Sequence, residues 1–298
     1  MRSGPGAGIA PTSLAAVAAP RIDLHTHSTA SDGTTPPAEL MREARAAGLD
    51  VVALTDHDTT GGWDAAADAL PPGLTLVRGA EISCVAGGIS LHLLGYLFDP
   101  AEPVFAAARL ALRDSRVGRA ETMARRLEAD GTGVTWERVQ QIAQGTVGRP
   151  HVAQALLEQG HVADVSGAFT PEWIGTGGRY WVDKVELDAV EAVRLVVGAG
   201  GVAVFAHPSA STRGRTVGDE VIRDMTAAGL AGLEVDHVDH DDDARAHLRE
   251  LAAELGLLTT GSSDFHGTAK TVRLGAHTTS RQAYDRLVDA ATGVPVLR

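Results

Sequence analysis

Short apolar runs alternate with longer amphipathic ones along most of this chain. Ile22 to His27, Val51 to Leu54, Leu74 to Val77, Ser90 to Leu97, Gly201 to Phe205, Leu230 to Val235 and Gly256 to Thr260 read as strands. Val51-Val52-Ala53-Leu54 is apolar at every position, as expected of a parallel strand covered on both faces. Between these runs the apolar residues recur at helical spacing. Leu40, Met41, Ala44 and Ala47 precede a stop at Gly48, and Trp63 to Leu70 ends at Pro71-Pro72. Asp188 to Val197, Val217 to Ala228 and Ala244 to Leu255 repeat the pattern, and the tail holds one more helix. Thr35 is placed to cap the first helix, with prolines in its first turn. Strand–helix alternation of this kind predicts an α/β, barrel-like fold.

The alternation breaks over residues 101 to 184. Pro103 to Ala129 reads as one long helix, marked by Val104, Ala108, Leu112, Met123 and Leu127, with arginines filling much of the rest. Val134 to Ala143 and Arg149 to Gln159 are further helices, and Phe169 to Trp181 sets aromatic residues among glycines. The predicted plan is a disordered leader over residues 1–20 and a first part of the barrel over 21–100. A helical cap is inserted over 101–184, and the second part of the barrel with the C-terminal tail spans 185–298. The leader is rich in Ala, Gly and Pro with Arg2 as its only charged side chain, unlike a secretory signal. No run is long enough to cross a bilayer, so the expected compartment is the cytoplasm.

Composition narrows the partners. The formal charge of −12 argues against a broad face for duplex DNA. It leaves room for a small anion, because bound divalent metals reverse the field around them. Cys84 is the single cysteine, so the chain forms no internal disulfide and no cysteine-based zinc site. It reads as a small apolar core residue.

The chemistry gathers at strand exits. His25 and His27 are two apart, which on a strand turns both imidazoles to one side. Asp56-His57, His207 and Asp264-Phe265-His266 close three other strands. Leaving Asp56 aside and adding Asp32, Glu81 and His92 gives nine nitrogen- or oxygen-bearing ligands, too many for one ion. Mixed imidazole and carboxylate donors suit Mn²⁺, Fe²⁺ and Zn²⁺, and a cluster of such ions suits phosphoryl transfer. Asp56 and Asp58 are expected to support the loop around His57. No convincing G-x-S-x-G elbow offers a serine nucleophile.

In order and spacing these motifs resemble the polymerase-and-histidinol-phosphatase (PHP) superfamily of metal-dependent phosphoesterases. Ser31-Asp32-Gly33, Gly79-Ala80-Glu81, His92-Leu93-Leu94-Gly95-Tyr96, Gly148-Arg149-Pro150-His151 and the run from Glu234 to His240 are similar to its stand-alone nucleotide phosphatases and short-RNA 5′-3′ exonucleases. The resemblance implies a distorted seven-stranded (β/α)7 barrel with an inserted helical cap. It implies two or three divalent ions, Mn²⁺ or Fe²⁺ ahead of Zn²⁺. His25, His27, Glu81 and Asp264 would hold one; Glu81, His92 and His207 the second; Asp32, His57 and His266 the third. Metal-bound hydroxide would attack a nucleotide phosphate, with Asp264, His240, Arg149 and His151 as catalytic residues. Arg149, His151 and His240 would touch substrate phosphate; Arg179 and Lys184, which flank the aromatic, glycine-rich part of the cap, would reach a second phosphate, close the lid or form structural salt bridges. The expected substrate is a nucleoside 3′,5′-bisphosphate, losing its 3′ phosphate.

The alternatives are a modified nucleoside phosphate from a biosynthetic pathway, AMP, histidinol phosphate, the end of a short RNA, or a non-catalytic accessory role. Trp173 and Tyr180 are open to two readings, a base-stacking platform or the cap's own core.

Overall fold

The apolar runs become β1 (Ile22–Asp23), β2 (Val51–Leu54), β3 (Thr75–Ala86), β4 (Ile89–Tyr96), β5 (Leu187–Asp188), β6 (Val202–Phe205), β7 (Gly232–Asp236) and β8 (Leu258–Gly261). A computed structural model of the chain describes residues 19–143 and 145–298, so the expected leader lies outside the described residues up to residue 18. The strand order is β1-β2-β3-β4-β6-β7-β8, with β5 paired to β3. Thr26 bridges Phe265, and His27 N–H donates to the Phe265 carbonyl at 2.8 Å. That contact brings the first strand to the last and nearly closes a seven-stranded barrel. The distortion sits at β4, which runs antiparallel to both β3 and β6.

Side-chain alternation sorts the sheet into two cores. Val51 and Ala53 point into the barrel with Leu94, Tyr96, Val202 and Val204. Val52 and Leu54 point outward against the helices. These are α1 (Pro37–Ala46), α2 (Trp63–Asp68), α6 (Ala189–Gly198), α7 (Asp219–Ala227) and α8 (Asp242–Leu255). The last helix, α9 (Arg281–Ala290), inserts Tyr284 and Leu287 into the inner core, which fills the barrel's lower end. Among the described residues, no helix is long and apolar enough to cross a membrane.

Residues 103–181 form the helical cap: α3 (Pro103–Ala129), α4 (Trp136–Ile142) and α5 (Arg149–Glu158), followed by turns. The long α3 belongs to two cores. Phe105 and Leu112 pack with the barrel, whereas Met123 and Leu127 pack with Trp136, Leu156 and Tyr180. Its middle therefore crosses the barrel mouth.

Two local expectations change, and one pair of readings narrows. The first strand is ladder-paired only at Ile22 and Asp23, because side chains take over afterwards: Thr26 N–H donates to Thr55 Oγ1 at 3.1 Å. Pro36, not Thr35, holds the N-cap of α1, and no side chain caps it. Trp173 and Tyr180 stack with their ring centres 6.0 Å apart. Tyr180 is buried in the cap core with Trp173 packed against it, and its hydroxyl donates to Asp130.

Candidate metal centre and cationic pocket

Every expected metal ligand sits at one end of the barrel. His25 and His27 follow β1, His57 follows β2, His207 follows β6, and Asp264 and His266 follow β8. Glu81 and His92 lie within the antiparallel pair, where Ser83 faces His92. Asp32 comes from the loop after β1. The backbone is bent there: Asp58, His207 and Asp264 adopt φ of 55°, 32° and 53°. Such left-handed geometry in non-glycine residues costs energy and concentrates at functional sites.

Glu81 is the centre of the cluster. Its Oε2 lies 3.3 Å from His25 Nε2, 3.1 Å from His27 Nε2 and 3.1 Å from His57 Nδ1. Its Oε1 lies 2.9 Å from His92 Nδ1 and 3.1 Å from His207 Nε2. Burial works to raise the Glu81 pKa, but His92, His57 and His25 outweigh it and hold the carboxyl well below its usual range. Asp264 Oδ1 stands 3.5 Å from both His25 Nε2 and His27 Nε2. Asp32 spans His57 Nε2 at 3.6 Å and His266 Nε2 at 3.5 Å.

The donor set fits divalent cations. Three groups of ligand atoms converge closely enough to hold one: His25, His27 and Glu81; His57, Glu81 and His92; and His27, Asp32, His57 and His266. His57 Nδ1 is buried and, although near Glu81, is not aligned for a hydrogen bond with it. Burial opposes a charged His25, yet Glu234, Glu81 and Asp264 push its pKa well above the usual value. The field at that point favours positive charge, which a metal supplies with better geometry than a proton.

The neighbouring residues aim the ligands. His25 Nδ1 donates to Glu234 Oε1 at 3.0 Å, which turns Nε2 to the cluster. Glu234 Oε2 accepts from His207 N–H at 2.8 Å. His266 Nδ1 donates to the Asp264 carbonyl at 2.8 Å, and burial holds His266 down to about 3, in its neutral, ligating form. Asp56 accepts from Ser28 N–H, Ser28 Oγ and Ser31 Oγ, bracing the loop that carries His27. Asp58 does the same for Ser83 and also pairs with Arg116.

Beside the cluster opens a cavity of about 230 Å³. Asp32, His57, His92 and His207 line one side, while Arg116, Arg119, Arg149, Lys184 and Arg215 supply positive charge. Among the expected phosphate contacts, Arg149 is in this cavity. His151 lines a second cavity that shares Asp32 and Pro150 with the first. Its Nδ1 accepts from Gly148 N–H at 3.0 Å, and burial holds it neutral, leaving the proton on Nε2. Two others sit elsewhere. His240 is buried with both nitrogens engaged, Nδ1 donating to the Val235 carbonyl and Nε2 accepting from Ser209 N–H. Arg179 is exposed and ion-paired to Asp130 at 2.6 Å.

Sequence reasoning gave no role to Glu234, Arg116 or Arg119. Glu234 carried a signal: it is the one carboxylate in the otherwise apolar run Leu230 to Val235. The two arginines are three residues apart on α3, on one face of a helix.

The chain is similar to known metal-dependent phosphoesterases. Residues 23–119 match the family model described as the PHP domain. The chain is 36% identical over 260 residues to a 3′,5′-nucleoside bisphosphate phosphatase of Chromobacterium violaceum, covering 86% of this chain and 91% of that protein. It is 35% identical over 257 residues to a 5′-3′ exoribonuclease of Haemophilus influenzae, covering 86% and 93%. A crystal structure of a candidate metal-dependent phosphoesterase from Bifidobacterium adolescentis superposes with a TM-score of 0.86 at 35% identity, covering 91% of this chain and 96% of that one.

Proposed function

The chain belongs to the PHP family of metal-dependent phosphoesterases, and on that premise we propose that it is a phosphomonoesterase acting on a nucleotide that carries a second phosphate. The leading candidate is a nucleoside 3′,5′-bisphosphate, with the 3′ phosphate removed. The observation that carries this reading is the continuity of the two chemistries. A pocket lined by five cationic side chains opens directly onto Asp32, His57, His92 and His207.

In this reading His25, His27, Glu81 and Asp264 would hold one divalent ion, Glu81, His92 and His207 a second, and Asp32, His57 and His266 a third, with Mn²⁺ and Fe²⁺ favoured. When bound, such ions supply the Lewis acidity that polarises a phosphoryl oxygen and acidifies water. The protein's own groups do the rest. Arg149 offers a planar fork that orients phosphate oxygens, and Arg116, held by Asp58 and Ser83, adds positive charge beside it. His151 presents an Nε2–H as a hydrogen-bond donor from the Asp32 side. The cap narrows access to the mouth, so substrate charge is met by fixed dipoles and guanidinium groups more than by water. His240 acts as a positioning residue, holding the Ser209 backbone two residues beyond His207.

The Haemophilus influenzae relative supports a second reading, a short-RNA 5′-3′ exonuclease on the same site. Phosphate release and chain shortening separate the two. Protein reloaded with Mn²⁺, Fe²⁺ or Zn²⁺ is presented with nucleoside 3′,5′-bisphosphates, 3′- and 5′-monophosphates, histidinol phosphate and short 5′-phosphorylated RNA. The proposed function predicts phosphate release with the highest kcat/KM on a 3′,5′-bisphosphate. Equal kcat/KM on AMP and adenosine 3′,5′-bisphosphate contradicts the substrate, and stepwise RNA shortening without monoester hydrolysis contradicts the reaction.

A further inference from the structure

Not all five cations of the pocket are balanced. Arg116 pairs with Asp58, and Lys184 Nζ lies 3.1 Å from Glu186 Oε1. Arg119 and Arg149 have no carboxylate within ion-pair distance among the described residues. Arg119 is only 6% exposed. Its Nε donates to the Val182 carbonyl at 2.7 Å, while its Nη2 is buried with no hydrogen-bond partner. The Arg149 guanidinium lies over two aromatic rings, 5.2 Å from Phe169 and 5.2 Å from Trp181. Arg119 lies on the same Trp181 indole at 4.2 Å. Trp181 is itself anchored, its indole Nε1–H donating to Asp183 at 2.8 Å and its backbone carbonyl accepting from Arg126 at 2.8 Å.

The two guanidinium groups, Arg119 buried and Arg149 half-buried, share one ring and repel each other, and holding such charge without an anion is costly. Burial and then Arg149 and Arg116 push the Arg119 pKa down to about 9. Burial and then Arg116 push Arg149 down to about 10. The protein keeps this unpaired charge in a cavity that adjoins the metal cluster, and the ring contacts offset only part of the cost. A phosphate monoester carries a charge of about −1.5 to −2 near neutral pH and three acceptor oxygens, which matches two forked donors. A phosphodiester carries a single charge.

We propose that Arg119 and Arg149, held on Trp181, form a socket for a second, terminal phosphate monoester on the substrate, and that Arg119 sets the preference for doubly phosphorylated over singly phosphorylated nucleotides. This rests on the phosphomonoesterase reading above. The socket binds the phosphate that is not cleaved. Its binding energy orients the scissile group at the metal cluster.

The test compares adenosine 3′,5′-bisphosphate with adenosine 3′-phosphate in wild type, Arg119→Met and Arg119→Lys. Met keeps a flexible apolar side chain beside Trp181 and removes the charge; Lys restores the charge without the fork. Thermal unfolding of each variant checks that the cap still folds. The wild type should favour the bisphosphate by about tenfold or more in kcat/KM, as expected for a charged hydrogen-bonding pair. Arg119→Met should bring that ratio close to one, and Arg119→Lys should recover part of it. Calorimetric binding of both nucleotides to metal-stripped protein gives the same comparison without turnover. A bisphosphate preference in wild-type binding that disappears in Arg119→Met supports the socket even if no phosphate is ever released, an outcome that would remove the phosphomonoesterase reading alone. Equal binding of the two nucleotides by the wild type, or a preference retained in folded Arg119→Met, overturns the socket.

Discussion

Glu234 Oε1 accepts a hydrogen bond from His25 Nδ1 at 3.0 Å, with both side chains fully buried. The same carboxylate accepts from His207 N–H and Ser262 Oγ. One residue of β7 thereby fixes ligands that arrive from two other strands. A Glu234→Gln substitution keeps a carbonyl acceptor and removes the charge. Metal affinity should fall by about 10–100-fold, in line with the effect of losing a ligand's hydrogen-bonded partner. Competition against a chelating dye measures it, and unchanged affinity would show that the carboxylate only fills space.

The barrel interior offers a separate test away from the metals. Tyr96 is fully buried in β4 and its hydroxyl donates to the Leu24 carbonyl at 2.8 Å, tying β4 to the chain just before His25. Tyr96→Phe leaves that carbonyl without this donor. The expected loss is about 1–2 kcal/mol of stability, or a few degrees in Tm for a chain of this size, on the order of 2–4 °C per kcal/mol. An unchanged Tm in a circular-dichroism melt would mean that the Leu24 carbonyl has another partner.

Lys184 gives the pocket a pH dependence. Burial and then the like charge of Arg116 push its pKa down from 10.5 to about 8. Between those values the unfolded chain holds the proton and the folded protein does not, so this group makes stability rise with pH across that window. Its effect on binding has the opposite sign: the pocket loses a positive charge as pH rises through about 8. kcat/KM, which reports the free enzyme, should therefore fall above that pH. Lys184→Arg should move the falling limb upward. A limb that stays in place in the Arg variant would assign it to another group.

Much of this was legible in the chain itself. The strands and helices followed from apolar period, and His25, His27, His57, His207, Asp264 and His266 stood at strand ends where barrel chemistry collects. What was not legible depends on tertiary position. The direction of β4 is not written in its apolar residues but in Gly87-Gly88, a two-residue turn with φ of 55° and 73° that folds β4 back on β3 as a hairpin, a signal the apolar period does not register. Arg116 and Arg119 look like solvated helix surface until α3 is seen to cross the mouth. Arg179 looks equally suitable in sequence and turns out to face Asp130 at the surface. His240 gave no sign that both its nitrogens would be used internally, since that depends on the path of the chain after Pro208.

Glu81 is the hub of the cluster, its two oxygens facing five imidazoles within 3.3 Å. The most direct measurement is the metal content of wild type and Glu81→Gln by plasma mass spectrometry, paired with phosphate release from the same preparations. The wild type should carry about two to three transition-metal ions per chain, with phosphate release that depends on them. Glu81→Gln should lose at least one ion, and its phosphate release should drop by about 100-fold or more. A wild-type protein that binds no divalent metal on reconstitution, or a Glu81→Gln protein with full metal content and full activity, would contradict the account.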